Sequence, residues 1–215
     1  MKTKIIFCFF LSCVVQLGLS QGFVNLDFEA SSATSFANVA IPGWTATGSV
    51  LYDTVSLGGA AVILEDTNAS SLGPAPLQGT YSVLLYGASS IYAPPDEQYP
   101  ASIGQAGMIS TTAQSMTFWC NQSQFNGSSL IQVTFNGLPI DYLVTGGTAN
   151  YTIYSADISA YAGQTGQLLF TAPVNTSALL DNIQFSTSPV PEPSMFALTA
   201  LGSLLLGFGR WRKSS

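Results

Sequence analysis

Histidine is absent from the whole chain, and no lysine or arginine falls between Gln21 and Pro189. The five basic residues, Lys2, Lys4, Arg210, Arg212 and Lys213, all sit at the two ends. Ten of the eleven acids lie in the cation-free stretch, and charged residues are only 7% of the chain, against about 25% in an ordinary soluble protein. A body without cations has nothing to neutralise phosphates, so nucleic acid is excluded as a partner. It has no lysine for a Schiff base or a phosphate loop, and no arginine to clamp a carboxylate. The missing histidine removes His-based catalytic triads, His-ligated zinc and His-held haem. Cysteine is nearly as scarce. Cys8 and Cys13 fall in the first segment, leaving Cys120 alone in the body. A monomeric body then forms no internal disulfide, and Cys120 reads as a small buried hydrophobe.

Long apolar runs occur only at the ends. Met1-Lys-Thr-Lys4 precedes the apolar run Ile5–Val15, and Gly18-Leu-Ser20 supplies small residues at alternate positions. This is the layout of a secretory signal peptide cleaved near Ser20, too short for a membrane span. Leu11-Ser-Cys13 is a poor lipoprotein box, because Phe10 precedes it and apolar residues follow it. At the other end, Val190-Pro-Glu-Pro-Ser194 leads into the apolar segment Met195–Gly209 and then Arg210-Trp-Arg-Lys213. As a helix at about 1.5 Å per residue, that segment gives a thin span. The basic cluster then stays cytoplasmic.

These three parts, Pro191-Glu192-Pro193, an apolar helix and a terminal arginine cluster, resemble the PEP-CTERM sorting signal. The resemblance implies export by a Gram-negative bacterium that makes exopolysaccharide, with transient anchoring in the inner membrane. It also implies cleavage near the motif by an exosortase-type protease, which leaves the protein at the cell surface or in the extracellular matrix. The simpler reading is an ordinary C-terminal anchor with a proline-stiffened linker.

The body lacks helical periodicity. Short β-rich runs separated by Gly, Pro, Asn and Ser predict an all-β, two-sheet antiparallel sandwich. The runs are Phe23–Phe28, Ala60–Leu64, Tyr81–Tyr86, Ser115–Cys120, Leu130–Phe135, Leu138–Val144, Asn150–Tyr154, Gln167–Thr171 and Leu179–Phe185. Alternation places Met116, Phe118 and Cys120 on one face of their strand, with Thr117 and Trp119 on the other. Asn136-Gly137 predicts a hairpin turn, and Asp157–Gly163 a short helical turn. The expected organisation is a signal peptide over 1–20, a β-sandwich ectodomain over 21–186 and a linker with the Pro-Glu-Pro motif over 187–194. A transmembrane helix over 195–209 and a basic tail over 210–215 complete it.

Phe28-Glu29, Pro42-Gly-Trp44 and Leu180-Asp-Asn-Ile183 resemble the frame of galactose-binding-like jelly rolls, which carbohydrate-binding modules share. The resemblance implies a structural Ca²⁺ held by a first-strand glutamate and a last-strand aspartate, positions matched by Glu29 and Asp181. A body of ten carboxylates without an internal cation has a physical need for such countercharge, and Ca²⁺ takes six to eight oxygens flexibly. The bland alternative is that both acids are solvated and never meet.

Sugar binding is the second candidate chemistry. Aromatic faces stack on the apolar face of a sugar, and amides bond its hydroxyls. Trp119 stands apart from the apolar face of its strand, and Tyr86 and Tyr92 flank a proline-rich loop, so these three are the candidate ligand residues. Trp44, after Pro-Gly, reads as core. Glu65-Asp66 and Asp96-Glu97 are the acid pairs a glycosidase would need, but adjacent acids more simply read as solvated. The reading is an exported, non-catalytic surface or matrix protein with extracellular polysaccharide as candidate ligand. The alternatives are a structural or adhesive matrix protein without a sugar site and, last, a glycan-acting hydrolase.

Overall fold

The computed structural model describes residues 22–54, 59–67, 73–89, 98–124 and 130–190. The strands in chain order are β1 (Ser32–Ser35), β2 (Asn38–Ala40), β3 (Thr45–Thr47), β4 (Ser49–Tyr52), β5 (Ala61–Asp66), β6 (Tyr81–Tyr86) and β7 (Ala101–Met108). They continue as β8 (Ser115–Gln124), β9 (Gln132–Phe135), β10 (Leu138–Pro139), β11 (Leu143–Gly147), β12 (Thr152–Asp157), β13 (Thr165–Ala172) and β14 (Thr176–Ser186). A five-stranded sheet runs β10-β9-β13-β7-β3, and a seven-stranded sheet runs β11-β12-β8-β14-β6-β5-β4.

Period-two alternation supplies the core between the two sheets. Met116, Phe118 and Cys120 of β8 point inward, as do Val62 and Leu64 of β5, Val83 and Leu85 of β6, and Leu180 of β14. The opposing sheet contributes Ile103, Val133, Phe135, Leu168 and Phe170. Phe118 lies at the centre, edge-on to Phe170 and stacked with Tyr154 at 5.3 Å. Trp44 packs against Phe28 and Phe170, and its Nε1 donates to the Asn25 carbonyl at 2.9 Å, which meets the expectation of a core tryptophan.

Local signals account for several connections. Asn136 and Gly137 both have positive φ, as a two-residue hairpin turn requires, and they join β9 to β10. Ser159–Tyr161 is the short helical turn, a single 3-10 turn.

Four expectations are corrected. The all-β sandwich is present, but it is not purely antiparallel and it has three sheets. β1 and β2 form a small sheet of their own, and β4 pairs in parallel with β5. The parallel pair arises because β4 follows β3 directly through Gly48, with φ at +100°, so its direction is set as the chain crosses between sheets. The expected opening strand over 23–28 does not form, since residues 22–25 are irregular and residues 26–30 turn and bend. Asn25 and Phe28 have positive φ, and the Asn25 side chain accepts from the Ala30 amide. The expected strand over 138–144 is split, because Ile140 turns inward between β10 and β11.

The last correction concerns the membrane. No helix among the described residues is long and apolar enough to cross one, the 3-10 turn being three residues long. The transmembrane helix over 195–209, and the inner-membrane-anchored stage that depends on it, are therefore not supported. Residues 195–209 themselves lie outside the described residues. So do the signal peptide over 1–20, Tyr92, and Pro191, Glu192 and Pro193.

Candidate functional site

The outer face of the seven-stranded sheet carries the chemistry. Side chains that alternate away from the core form a row across its strands. Asp53 follows β4, and its amide donates to the Leu64 carbonyl, which sets it beside Glu65 of β5. Glu65 pairs with Ser82 of β6. The Ser82 hydroxyl donates to Asp181 of β14 at 2.7 Å, Asp181 pairs with Trp119 of β8, and Trp119 pairs with Ile153 of β12.

Trp119 lies outside the hydrophobic core. Tyr151, two residues before Ile153 on the same face, stacks on it with ring centroids 4.2 Å apart and planes within 7°. Both rings are half-buried. Beside them, the Asn121 side-chain amide donates to the Asn150 carbonyl at 2.8 Å. A shallow open cleft of about 140 Å³ adjoins Tyr151, lined by Asn121, Gln122, Thr148, Asn150 and Thr152 among others. Sequence reasoning singles out Trp119 as a candidate and passes over Tyr151, which stacks on it. The missing signal was the β8–β12 register, which local pattern does not carry.

Tyr86 shares the outer face but not this neighbourhood. It lies across from Ser177 and, beyond it, Ser123, four residues from the Asp181 and Trp119 level and two strands away. That is about 13 Å along the strands and about 10 Å across them.

Glu29 and Asp181 are brought to one place by the segment over 78–82. Glu29 Oε1 accepts from the amides of Thr80 at 2.9 Å and Tyr81 at 3.2 Å. Asp181 Oδ2 accepts from the Gln78 amide at 3.1 Å and from Ser82, and Oδ1 from the Asn182 amide at 2.6 Å. Gly79, with φ at +61°, leaves Glu29 room that a Cβ would fill. Burial pushes the Asp181 carboxyl up to about 6, the nearby Glu29 charge adds to the rise, and its three donors oppose it. Asp27 bonds the Glu29 amide at 3.3 Å. The hard oxygen donors suit Ca²⁺ chemically, but three of the four carboxylate oxygens already accept from the protein. Among the described residues no group of three or more acids, cysteines or histidines could hold a metal ion.

The candidate glycosidase pair does not form. Glu65 and Asp66 are neighbours on β5 and point to opposite faces. Asp66 accepts from the Tyr52 hydroxyl at 2.7 Å, whereas Glu65 is wholly buried on the outer face. Asp96 and Glu97 lie outside the described residues.

No family model and no curated protein matches this sequence. Among solved structures the chain is similar to TmCBM61, determined in complex with beta-1,4-galactotriose. Identity is 14% over 78% of this chain and 99% of that one, with a TM-score of 0.40. It is also similar to the enzymatically active domain of tailspike protein 4 of bacteriophage CBA120. There identity is again 14%, over 72% of this chain and 21% of that one, with a TM-score of 0.37. Both likenesses are distant, and neither identifies a site in this chain.

Proposed function

We propose that this chain is a non-catalytic carbohydrate-binding module whose platform is the Trp119–Tyr151 pair. The observation that carries the reading is the near-parallel stack of two aromatic rings outside the core, beside the amides and hydroxyls of the adjoining cleft. Flat apolar rings flanked by a few polar groups are what a pyranose ring needs, with its apolar face on the ring and its hydroxyls on the amides. The ligand in this reading is a neutral polysaccharide. A body with ten carboxylates and no cation repels acidic sugars. A Ca²⁺ on Glu29 and Asp181 belongs to the same proposal, as countercharge where the two carboxylates converge on the 78–82 segment.

Affinity electrophoresis of the full-length chain through gels containing neutral polysaccharides tests the platform. Retardation is expected with at least one of them, and Trp119→Ala or Tyr151→Ala should abolish it. Tyr86→Ala, remote from the stack, should leave most of it. If the wild-type chain is retarded by none, or if the Trp119 and Tyr151 variants bind as it does, the platform is wrong. The adhesive or structural alternative then takes its place.

A further inference from the structure

Glu65 is the anomaly of the outer face. It has no exposed surface, and neither carboxylate oxygen has a hydrogen-bond partner. Burying a polar group without a partner is costly, and burying an unpaired charge far more so. Asp181, two strands away on the same face, shows the usual solution, because its oxygens accept from two amides and a hydroxyl. Glu65 has no equivalent donors. Nor does the chain hold a lysine or arginine between residues 21 and 189 that could reach it.

The surroundings make the vicinity more acidic, not less. Asp53 comes beside Glu65 from β4, held there by the bond from its amide to the Leu64 carbonyl. From β6 Glu65 meets Ser82, whose hydroxyl is already given to Asp181. The nearby titratable groups on these strands are thus Asp53, Asp181 beyond Ser82, and Asp66 with Tyr52 and Tyr81 on the opposite face, none of them a cation. The main chain at Gly73 comes so close that a Cβ there would overlap both Glu65 oxygens. Asp53 keeps 9% of its surface in solvent, whereas Glu65 keeps none.

We infer that Glu65 and Asp53 form a binding site for a hard divalent cation, Ca²⁺ by its chemistry, separate from the Glu29–Asp181 pair. Carboxylate oxygens are hard ligands, the chain has no histidine, and among the described residues no accessible thiol is present to favour a softer metal. Two carboxylates supply up to four oxygens, and flexible coordination lets water complete the shell. The ion replaces the missing donors and neutralises the charge that burial penalises. Burial, helped by the Asp53 charge, pushes the Glu65 carboxyl up, the direction expected of a buried acid without countercharge. The inference is independent of the sugar platform.

Equilibrium dialysis of the chelator-stripped full-length chain against radiolabelled Ca²⁺ tests it. Glu65→Gln should bind one ion fewer per chain than wild type, and Asp53→Asn should weaken that ion's binding. Glu29→Gln should leave this ion bound, which separates the two sites. The far-UV circular dichroism of Glu65→Gln in EDTA should match wild type, because an amide of nearly the same shape replaces the carboxyl. The site is disproved if a folded Glu65→Gln chain binds as many ions as wild type. Binding of no calcium by the wild-type chain at millimolar concentration also disproves it.

Discussion

Glu65 makes a prediction at the scale of a single residue. In the metal-free folded protein burial first and Asp53 second push its carboxyl from 4.5 up to about 8. Between those values the folded chain holds a proton that the unfolded chain has already lost. Stability of the metal-free protein should therefore be fully present below about pH 4.5 and should fall as pH rises towards 8, by an amount of the order of 4 kcal/mol. Asp181, raised to about 6, acts in the same direction over a lower window. Urea unfolding in EDTA at pH 5 and pH 8 checks this. The midpoint should be lower at pH 8 in wild type, and the difference should shrink in Glu65→Gln. A wild-type midpoint that rises with pH would contradict the burial of an unpartnered carboxyl.

At the scale of the element, β14 decides how the inner and outer faces are served by one strand. Through Leu180 it alternates regularly, with Ala178 and Leu180 in the core and Leu179 and Asp181 outside. Its pairing with β8 then slips between Asp181 and Gln184, with Asn182 at φ +46°. The irregularity returns Ile183 to the core, where its amide bonds the Leu26 carbonyl. A side chain branched at Cβ is strained in that backbone conformation, whereas asparagine and glycine accept it. Asn182→Val should destabilise the protein by roughly 1–2 kcal/mol, and Asn182→Gly by much less. Chemical denaturation of the two variants beside wild type is the measurement. Equal stability of Val and Gly would mean that the irregularity relaxes without cost.

At the scale of the whole molecule, two stacked sheets hold the described residues together with no disulfide among them. Cys120 is buried against the opposing sheet, and burial pushes its thiol up to about 12. It is the one free cysteine among the described residues. A thiol so placed does not react, so reducing agent should leave the melting temperature of the protein unchanged. Alkylating reagents should label Cys120 only after unfolding. A melting temperature that drops on reduction would show a bond between chains and an exposed Cys120.

Much of this fold was legible in the sequence because it is written in local pattern. Alternation along Ser115–Cys120 separates Phe118 from Trp119, and Asn136-Gly137 demands its hairpin. Pro42-Gly-Trp44 places a core ring, and the absence of histidine, lysine and arginine from the body narrows its chemistry before any coordinate is known. Tertiary structure decided what depends on partners distant in the chain. The parallel β4–β5 pair follows from a change of sheet, and the irregular path over 23–28 follows from packing beneath Trp44. Register alone sets Tyr151 on Trp119 and carries Tyr86 away from both. The two acid pairs divide in the same way. A motif could match Glu29 to Asp181, but Glu65 looks in sequence like any solvated acid at a strand end. Its character comes from burial on a face roofed near Gly73, and burial is a property of the assembled chain, because only neighbours remove water.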